Sequence, residues 1–229
     1  MALQIISEQI IRFLSSLKAP RLSQKHIRVM NPYRSREVRL HVESFYRRFY
    51  SDKVDRVYLF GINPGRFGSG ITGITFTDPV ALEQFCGIPN GFEKRRELSS
   101  EFIYEVIEKF GGVERFFSSF FLTAVSPLGL LKEGVNFNYY DDASMMGELL
   151  PFISRTIVRQ VNIGGNRRVA IVLGTGKNRL FFEKLNRELR LFRQTVYLEH
   201  PRFIMQYRRR AKKAYIEKYV NVLTRSLAF

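Results

Sequence analysis

The chain has 229 residues, 45% of them hydrophobic, with 21 phenylalanines and 11 tyrosines, so it is long and apolar enough to bury a large core. Lysine and arginine number 37 against 21 acidic residues, a formal charge of +16, and such an excess attracts a polyanion, nucleic acid first among them. A lone cysteine, Cys86, excludes an intrachain disulfide and a four-cysteine metal or iron–sulfur site, and no apolar run approaches the ~18 residues of a membrane span.

In chain order, Leu3, Ile6, Ile10, Leu14 and Leu17 recur at helical spacing around Glu8 and Arg12, which predicts an amphipathic helix and not a signal peptide. Residues 21–31 read as a polar connection, closed by an ordered turn at Asn31-Pro32. Val38, His41, Val42, Phe45 and Phe49 predict a helix over 37–50, and the apolar run to Phe60 predicts the first core strand, over 53–60. Asp78 is placed to cap a short helix over 79–85, with Pro79 at its first position. Ser99 or Ser100 is expected to cap a helix over 101–110 that Gly111-Gly112 stops. A second buried strand is expected over 120–126, then a long loop over 128–142, and a helix over 143–161. Residues 168–173 form the third expected strand, 178–190 a helix, 195–198 the fourth strand, and 206–227 a basic helix. Strands alternating with helices imply a parallel sheet covered on both faces. No linker-like, repetitive or low-complexity stretch divides the chain, so one domain over 1–229 is expected, with residues 1–28 as a helical extension. The cysteine usage points to a reducing, intracellular setting, the cytoplasm or, in a bacterium, the nucleoid.

Gly174-Thr175-Gly176-Lys177 lacks the spacing of a phosphate loop, and no G-x-G-x-x-G follows a strand into a helix, which disfavours nucleotide hydrolysis and dinucleotide binding. His26, His41 and His200 are not at ligand spacing, so no metal is expected. Attention falls instead on residues 61–76, GINPGRFGSGITGITF, directly after the first core strand. Asn63 lies just past that strand, and in an open α/β sheet the crevice beyond the carboxyl ends of the strands is where ligands bind. His200, after the fourth strand, falls on the same sheet edge.

Gly61-Ile62-Asn63-Pro64-Gly65 with Phe67-Gly68, then Thr72-Gly73 and Phe76, resembles the first motif of the uracil-DNA glycosylase superfamily. The match is best to its single-strand-selective monofunctional branch, whose motif reads G-M-N-P-G-P-F-G and continues T-G-V-P-F. His200-Pro201 favours that branch over the mismatch-specific one, which shares the pentapeptide but carries Asn-Pro-Ser at this point. Asn31-Pro32, the segment from Phe121 to Pro127-Leu128, and Gly174 with Gly176 match in the same order.

The resemblance implies a three-layer α/β/α sandwich around a four-stranded parallel sheet, acting on DNA without metal or cofactor. It implies that Asn63 positions the attacking water, that His200 donates a hydrogen bond to the leaving base and that Phe76 stacks on it. Ile62, Gly65, Phe67, Ala124 and Ser126 are expected around the base. DNA contacts are expected from Arg66, Thr72 and Gly73, from a loop of Pro201, Arg202, Phe203 and Met205 able to wedge into the vacated stack, and from Arg208, Arg209 and Arg210. One departure concerns the base itself: Ala124 stands where the family has an asparagine that reads the uracil edge, and Ser126, Asn136 and Asn138 are the polar groups available instead. No lysine stands out as a Schiff-base former. The expected function is therefore a monomeric, monofunctional glycosylase of base excision repair. It would remove uracil and other deaminated or oxidised bases (xanthine, hypoxanthine, 5-hydroxymethyluracil) from single- or double-stranded DNA. The alternative from another class is a catalytically silent nucleic-acid-binding protein, supported by Ala124 and opposed by Asn63 and His200.

Overall fold

The computed structural model describes residues 5–229. Ile6, Ile10, Ile11 and Leu14 lie on the buried stripe of the first helix, α1 (Ile6–Ser15); Leu3, expected on the same stripe, lies outside the described residues. A short strand, β1 (Ile27–Met30), precedes a single 3-10 turn at Pro32–Arg34. Asn31 holds that turn in place: its side chain accepts from the Tyr33 N–H at 3.1 Å and donates to the Leu17 carbonyl at 2.9 Å. Helix α2 (Arg36–Phe49) follows, capped by Ser35.

The chain then runs through β2 (Val57–Gly61), α3 (Ser69–Thr72), α4 (Pro79–Gln84, capped by Asp78), α5 (Leu98–Phe110), α6 (Val113–Ser119) and β3 (Phe120–Ala124). It continues with β4 (Gly129–Lys132), β5 (Val135–Phe137), α7 (Ala143–Val161), β6 (Asn166–Leu173), α8 (Lys177–Leu189), β7 (Gln194–Leu198), α9 (Pro201–Tyr207) and α10 (Lys212–Ser226). The main sheet has four parallel strands in the order β3-β2-β6-β7, flanked by helices as a three-layer α/β/α sandwich. Every residue of β2 and β3 is buried, as continuous apolar runs demand of strands covered on both faces. One contiguous core runs from α1 through the sheet to α10.

Register sets up the site. Gly61 pairs with Ala124, and the pairing continues beyond the strands, where the Val125 and Ser126 N–H groups donate to the Gly61 and Ile62 carbonyls, both at 3.0 Å. Leu198 pairs with Leu173. The segments carrying Asn63, Ala124 and His200 therefore leave the sheet at one edge, its carboxyl end.

Four expectations are corrected. Residues 21–31 and 128–142 are not simply a connection and a loop: β1, β4 and β5 form a second, antiparallel sheet in the order β1-β4-β5. Buried Ile27 and Leu130 hold it to the core, and Glu133 and Gly134, at φ 50° and 77°, supply the two left-handed residues a tight hairpin needs. Helix α5 begins at Leu98, before Ser99 and Ser100, and Glu97 takes the N-cap position. The stretch after His200 is a helix rather than a loop, with His200 as N-cap and Pro201 at its first position. The basic segment consequently divides, with a 3-10 turn at Arg209–Ala211 before α10.

Arg56, just before β2, is only 1% exposed. It donates from Nε to the Phe117 carbonyl at 2.6 Å, from Nη2 to the Phe49 carbonyl at 3.2 Å and from Nη1 to Asp52 at 2.8 Å, and its guanidinium lies over the Tyr50 ring. The buried cation thus ties the ends of α2 and α6 to the start of the central strand.

Candidate active site

Beyond the carboxyl ends of β2, β3 and β7 lies a cleft, open to solvent, which Ile62, Asn63, Gly65, Phe76, Ala124 and His200 all line. Glu97, Asn136, Asn138 and Arg202 complete its polar wall.

Asn63 is oriented by its own amide: Nδ2 donates to the Phe137 carbonyl of β5 at 3.2 Å. Its Oδ1 is buried with no hydrogen-bond partner among the described residues. Leaving a buried acceptor unpaired costs about 1–3 kcal/mol, so an unpaired acceptor in a cleft marks a place for a donor from outside, such as water. The glycine-rich loop is tied to the second sheet: the Arg66 N–H donates to Asn136 Oδ1 at 2.9 Å, and the Arg66 guanidinium donates to the Gly134 carbonyl.

Phe76 has φ 53°, a left-handed conformation costly for a bulky residue, and its surroundings hold it there. Thr72 Oγ1 donates to the Thr77 carbonyl at 2.6 Å and accepts from the Ile74 N–H at 3.1 Å. Thr77 Oγ1 meets the buried Tyr104 hydroxyl at 2.9 Å. Asp78 then caps α4 through Oδ1 and accepts the Glu97 N–H through Oδ2, both at 2.8 Å. The Phe76 ring also needs Gly61, because a Cβ there would lie 2.7 Å from its Cε2. Phe76 and His200 face each other with ring centroids 5.7 Å apart at 45°.

His200 accepts the Arg202 N–H at Nδ1, 3.2 Å away, so in the neutral ring the proton sits on Nε2. Burial, aided by the Arg202 charge, lowers its pKa to about 4. The imidazole is therefore a neutral N–H donor at physiological pH.

The other expected residues divide by position. Gly65 and Arg202 reach the cleft, Arg202 from an exposed position on its rim. Phe67 does not line it: the ring sits in an adjoining groove between the Arg66 and Arg95 guanidinium groups, 4.4 and 5.1 Å from its centroid. Ser126 is buried outside the cleft, and its hydroxyl donates to the Leu128 carbonyl at 2.9 Å. Thr72 and Gly73 are buried, and their N–H groups donate to the Gly68 and Ser69 carbonyls at 3.2 and 2.9 Å, so neither is available to a phosphate. Pro201 and Met205 are buried too, which leaves Phe203, 41% exposed, as the apolar side chain able to wedge. Arg208, Arg209 and Arg210 are exposed.

Glu97 went unnoticed in the sequence because its segment, Arg95-Arg96-Glu97-Leu98, reads as a polar surface run. Its carboxyl lies against the open sides of two loop glycines: a Cβ on Gly68 would meet Oε2 at 2.7 Å, and one on Gly65 would meet Oε1 at 3.8 Å. Burial pushes this carboxyl above the usual carboxylate range; the Ser99 hydroxyl opposes the shift, Asp78 adds to it and Arg202 subtracts from it. Among the described residues no cluster of histidine, cysteine, aspartate and glutamate could hold a metal ion.

The chain belongs to the uracil DNA glycosylase superfamily, whose family model matches residues 48–224. Its fold and its class of function, a uracil-DNA-glycosylase-type hydrolase acting on DNA, follow from that membership. The chain is also similar to SMUG2 of Pedobacter heparinus, whose wild-type crystal structure superposes with a TM-score of 0.94 at 39% identity over 99% of this chain and 100% of that one. No curated protein matches the chain in sequence.

Proposed function

We propose that the protein is a monofunctional glycosylase that hydrolyses the N-glycosidic bond of uracil, and of other deaminated or oxidised bases, in DNA and leaves an abasic site in base excision repair. The observation that carries this reading is the buried, unpartnered Asn63 Oδ1 in the same cleft as the His200 imidazole.

The target base leaves its stack, at a cost of a few kcal/mol, and lies on Phe76. The bond from C1′ to the base nitrogen breaks with its electron pair going to the base. Asn63 Oδ1 accepts a hydrogen bond from the water that attacks C1′, and the oxygen of that water forms the new bond. An amide is a weak base, which suits an oxocarbenium-like sugar that needs little activation of its nucleophile. His200 Nε2–H donates to the oxygen where negative charge collects on the departing base, and a donor so placed contributes about 10²–10³ in rate. The water releases a proton and the base finally takes one up.

Oligonucleotides carrying uracil, xanthine, hypoxanthine or 5-hydroxymethyluracil, single- and double-stranded, test the reading after alkaline cleavage of abasic sites. At least one should yield product. Under single-turnover conditions His200→Ala and Asn63→Ala should each lower the rate about 10²-fold or more, with little change in DNA affinity. A protein inactive on every substrate is not a glycosylase, and undiminished activity in both variants would place the chemistry elsewhere.

A further inference from the structure

Within the glycosylase reading, on which this inference rests, we propose that Glu97 reads the flipped base, its carboxyl supplying from the far wall of the cleft the paired hydrogen bonds that Ala124 cannot make.

A nucleobase edge presents an N–H beside a carbonyl and is told apart by a partner with one donor and one acceptor side by side. Ala124 lines the cleft with no polar side-chain atom. Most of the other polar groups nearby have internal partners. Asn136 Oδ1 takes the Arg66 N–H, Asn63 Nδ2 is on the Phe137 carbonyl, His200 Nδ1 is on the Arg202 N–H, and the Ser126 hydroxyl is turned to Leu128. Glu97 is different. Among the described residues no ion pair includes it, although the chain carries a large excess of cations.

Its placement is built. The Glu97 N–H is held by Asp78 Oδ2, its carbonyl accepts the Glu101 N–H at 2.9 Å, and the residue stands at the N-cap of α5 rather than on a free loop. Gly65 and Gly68 leave the room its carboxyl occupies, and at Gly68 a Cβ would collide with it. The charged groups around it are Asp78 and Arg202, with Arg66 and Arg96 on the adjoining groove that Glu97 also lines. The two Glu97 carboxyl oxygens can accept from a base N–H, and on taking up a proton, which burial makes easier, the carboxyl gains the donor that an asparagine amide has.

The test compares Glu97→Gln with Glu97→Ala in single-turnover excision and in binding to DNA that carries an abasic-site analogue. Glutamine keeps a donor and an acceptor in nearly the same shape. It should retain activity within about tenfold, whereas alanine should lose about 10²-fold or more and change the ratio of rates between uracil and the other bases. Both variants should bind abasic DNA as the wild type does, because no base remains to be read. Thermal melting establishes that each is folded, and the near-isosteric glutamine keeps the test open if alanine does not fold. Glutamine as damaging as alanine would assign Glu97 to activating the water as a charged base and overturn the proposal. An unaltered base ratio in folded Glu97→Ala, or its collapse in Asn138→Ala instead, would overturn it as well. These outcomes differ from failure of the glycosylase reading, which would appear as a wild-type protein inactive on every base.

Discussion

In the proposed mechanism His200 donates to the leaving base, so it has to keep one proton and keep it on the correct nitrogen. The Arg202 N–H does the second by occupying Nδ1, and burial does the first by lowering the pKa to about 4. In the unfolded chain the same imidazole titrates near 6.5. Between those values the unfolded chain binds a proton that the folded one refuses, so His200 makes stability fall as pH drops from about 6.5 toward 4. Carboxylates such as Asp52, held below their ordinary range by Arg56, also weaken the fold in acid, so the comparison must cancel them. Urea unfolding at pH 7 and pH 5 should show the wild type losing more stability than His200→Asn over that interval. An equal loss in both would mean that the imidazole is not held neutral.

At the scale of elements, β2 and β3 were legible because both faces are covered, and burial on both faces writes a continuous apolar run such as Val57–Gly61. Asn63 was legible as a polar residue just past such a run, and His200 as one just past the edge strand β7, of which only Leu198 is buried. The small antiparallel sheet was not, because β5 is three residues long with an exposed first residue, and its hairpin turn is Glu-Gly rather than Asn-Gly. Thr72 and Gly73 misled for a related reason: a glycine-containing turn reads as backbone N–H groups open to a phosphate, yet Tyr33, Val38 and Val42 from distant segments close over Gly73. Nothing local announces that Glu97 and Arg56 are drawn inward either, since the contacts that do so, to the loop glycines Gly65 and Gly68 and to the Phe117 carbonyl, lie well away along the chain. For Arg56 this has a measurable consequence. Arg56→Ala leaves the Phe117 and Phe49 carbonyls without their donor in the core and should cost about 3 kcal/mol or more in urea denaturation. Arg56→Lys should restore only part of that, because an ammonium cannot span the fork. A loss below about 1 kcal/mol in the alanine variant would show that those carbonyls find other partners.

Over the whole molecule, the +16 charge is distributed unevenly in what it is paired with. Several surface cations near the last helices have acidic partners: Lys212 meets Glu105 at 2.7 Å and Lys218 meets Glu199 at 2.9 Å. Among the described residues no ion pair includes Arg202, Arg208, Arg209 or Arg210, which follow His200 in one exposed series; the Arg208 guanidinium instead lies 5.7 Å from the centre of the exposed Phe203 ring. Unpaired cations beside a cleft proposed to take in a nucleotide suit the phosphates flanking it, and each phosphate they neutralise releases counterions. How many phosphates the protein engages can therefore be read from the salt dependence of binding. Replacing Arg208, Arg209 and Arg210 together by glutamine should reduce the slope of log K against log salt by about 2 on single-stranded DNA, at roughly 0.7 for each phosphate no longer neutralised. Fluorescence anisotropy across a salt series measures it, with His200→Ala as the background so that the substrate is not consumed. Ala124 and Glu97 touch no phosphate in this arrangement, so their substitution should leave the slope alone while changing which base is removed. If the triple variant keeps the full slope, the DNA backbone crosses the protein on another face, and Phe203 loses its place as the wedge along with the arginines.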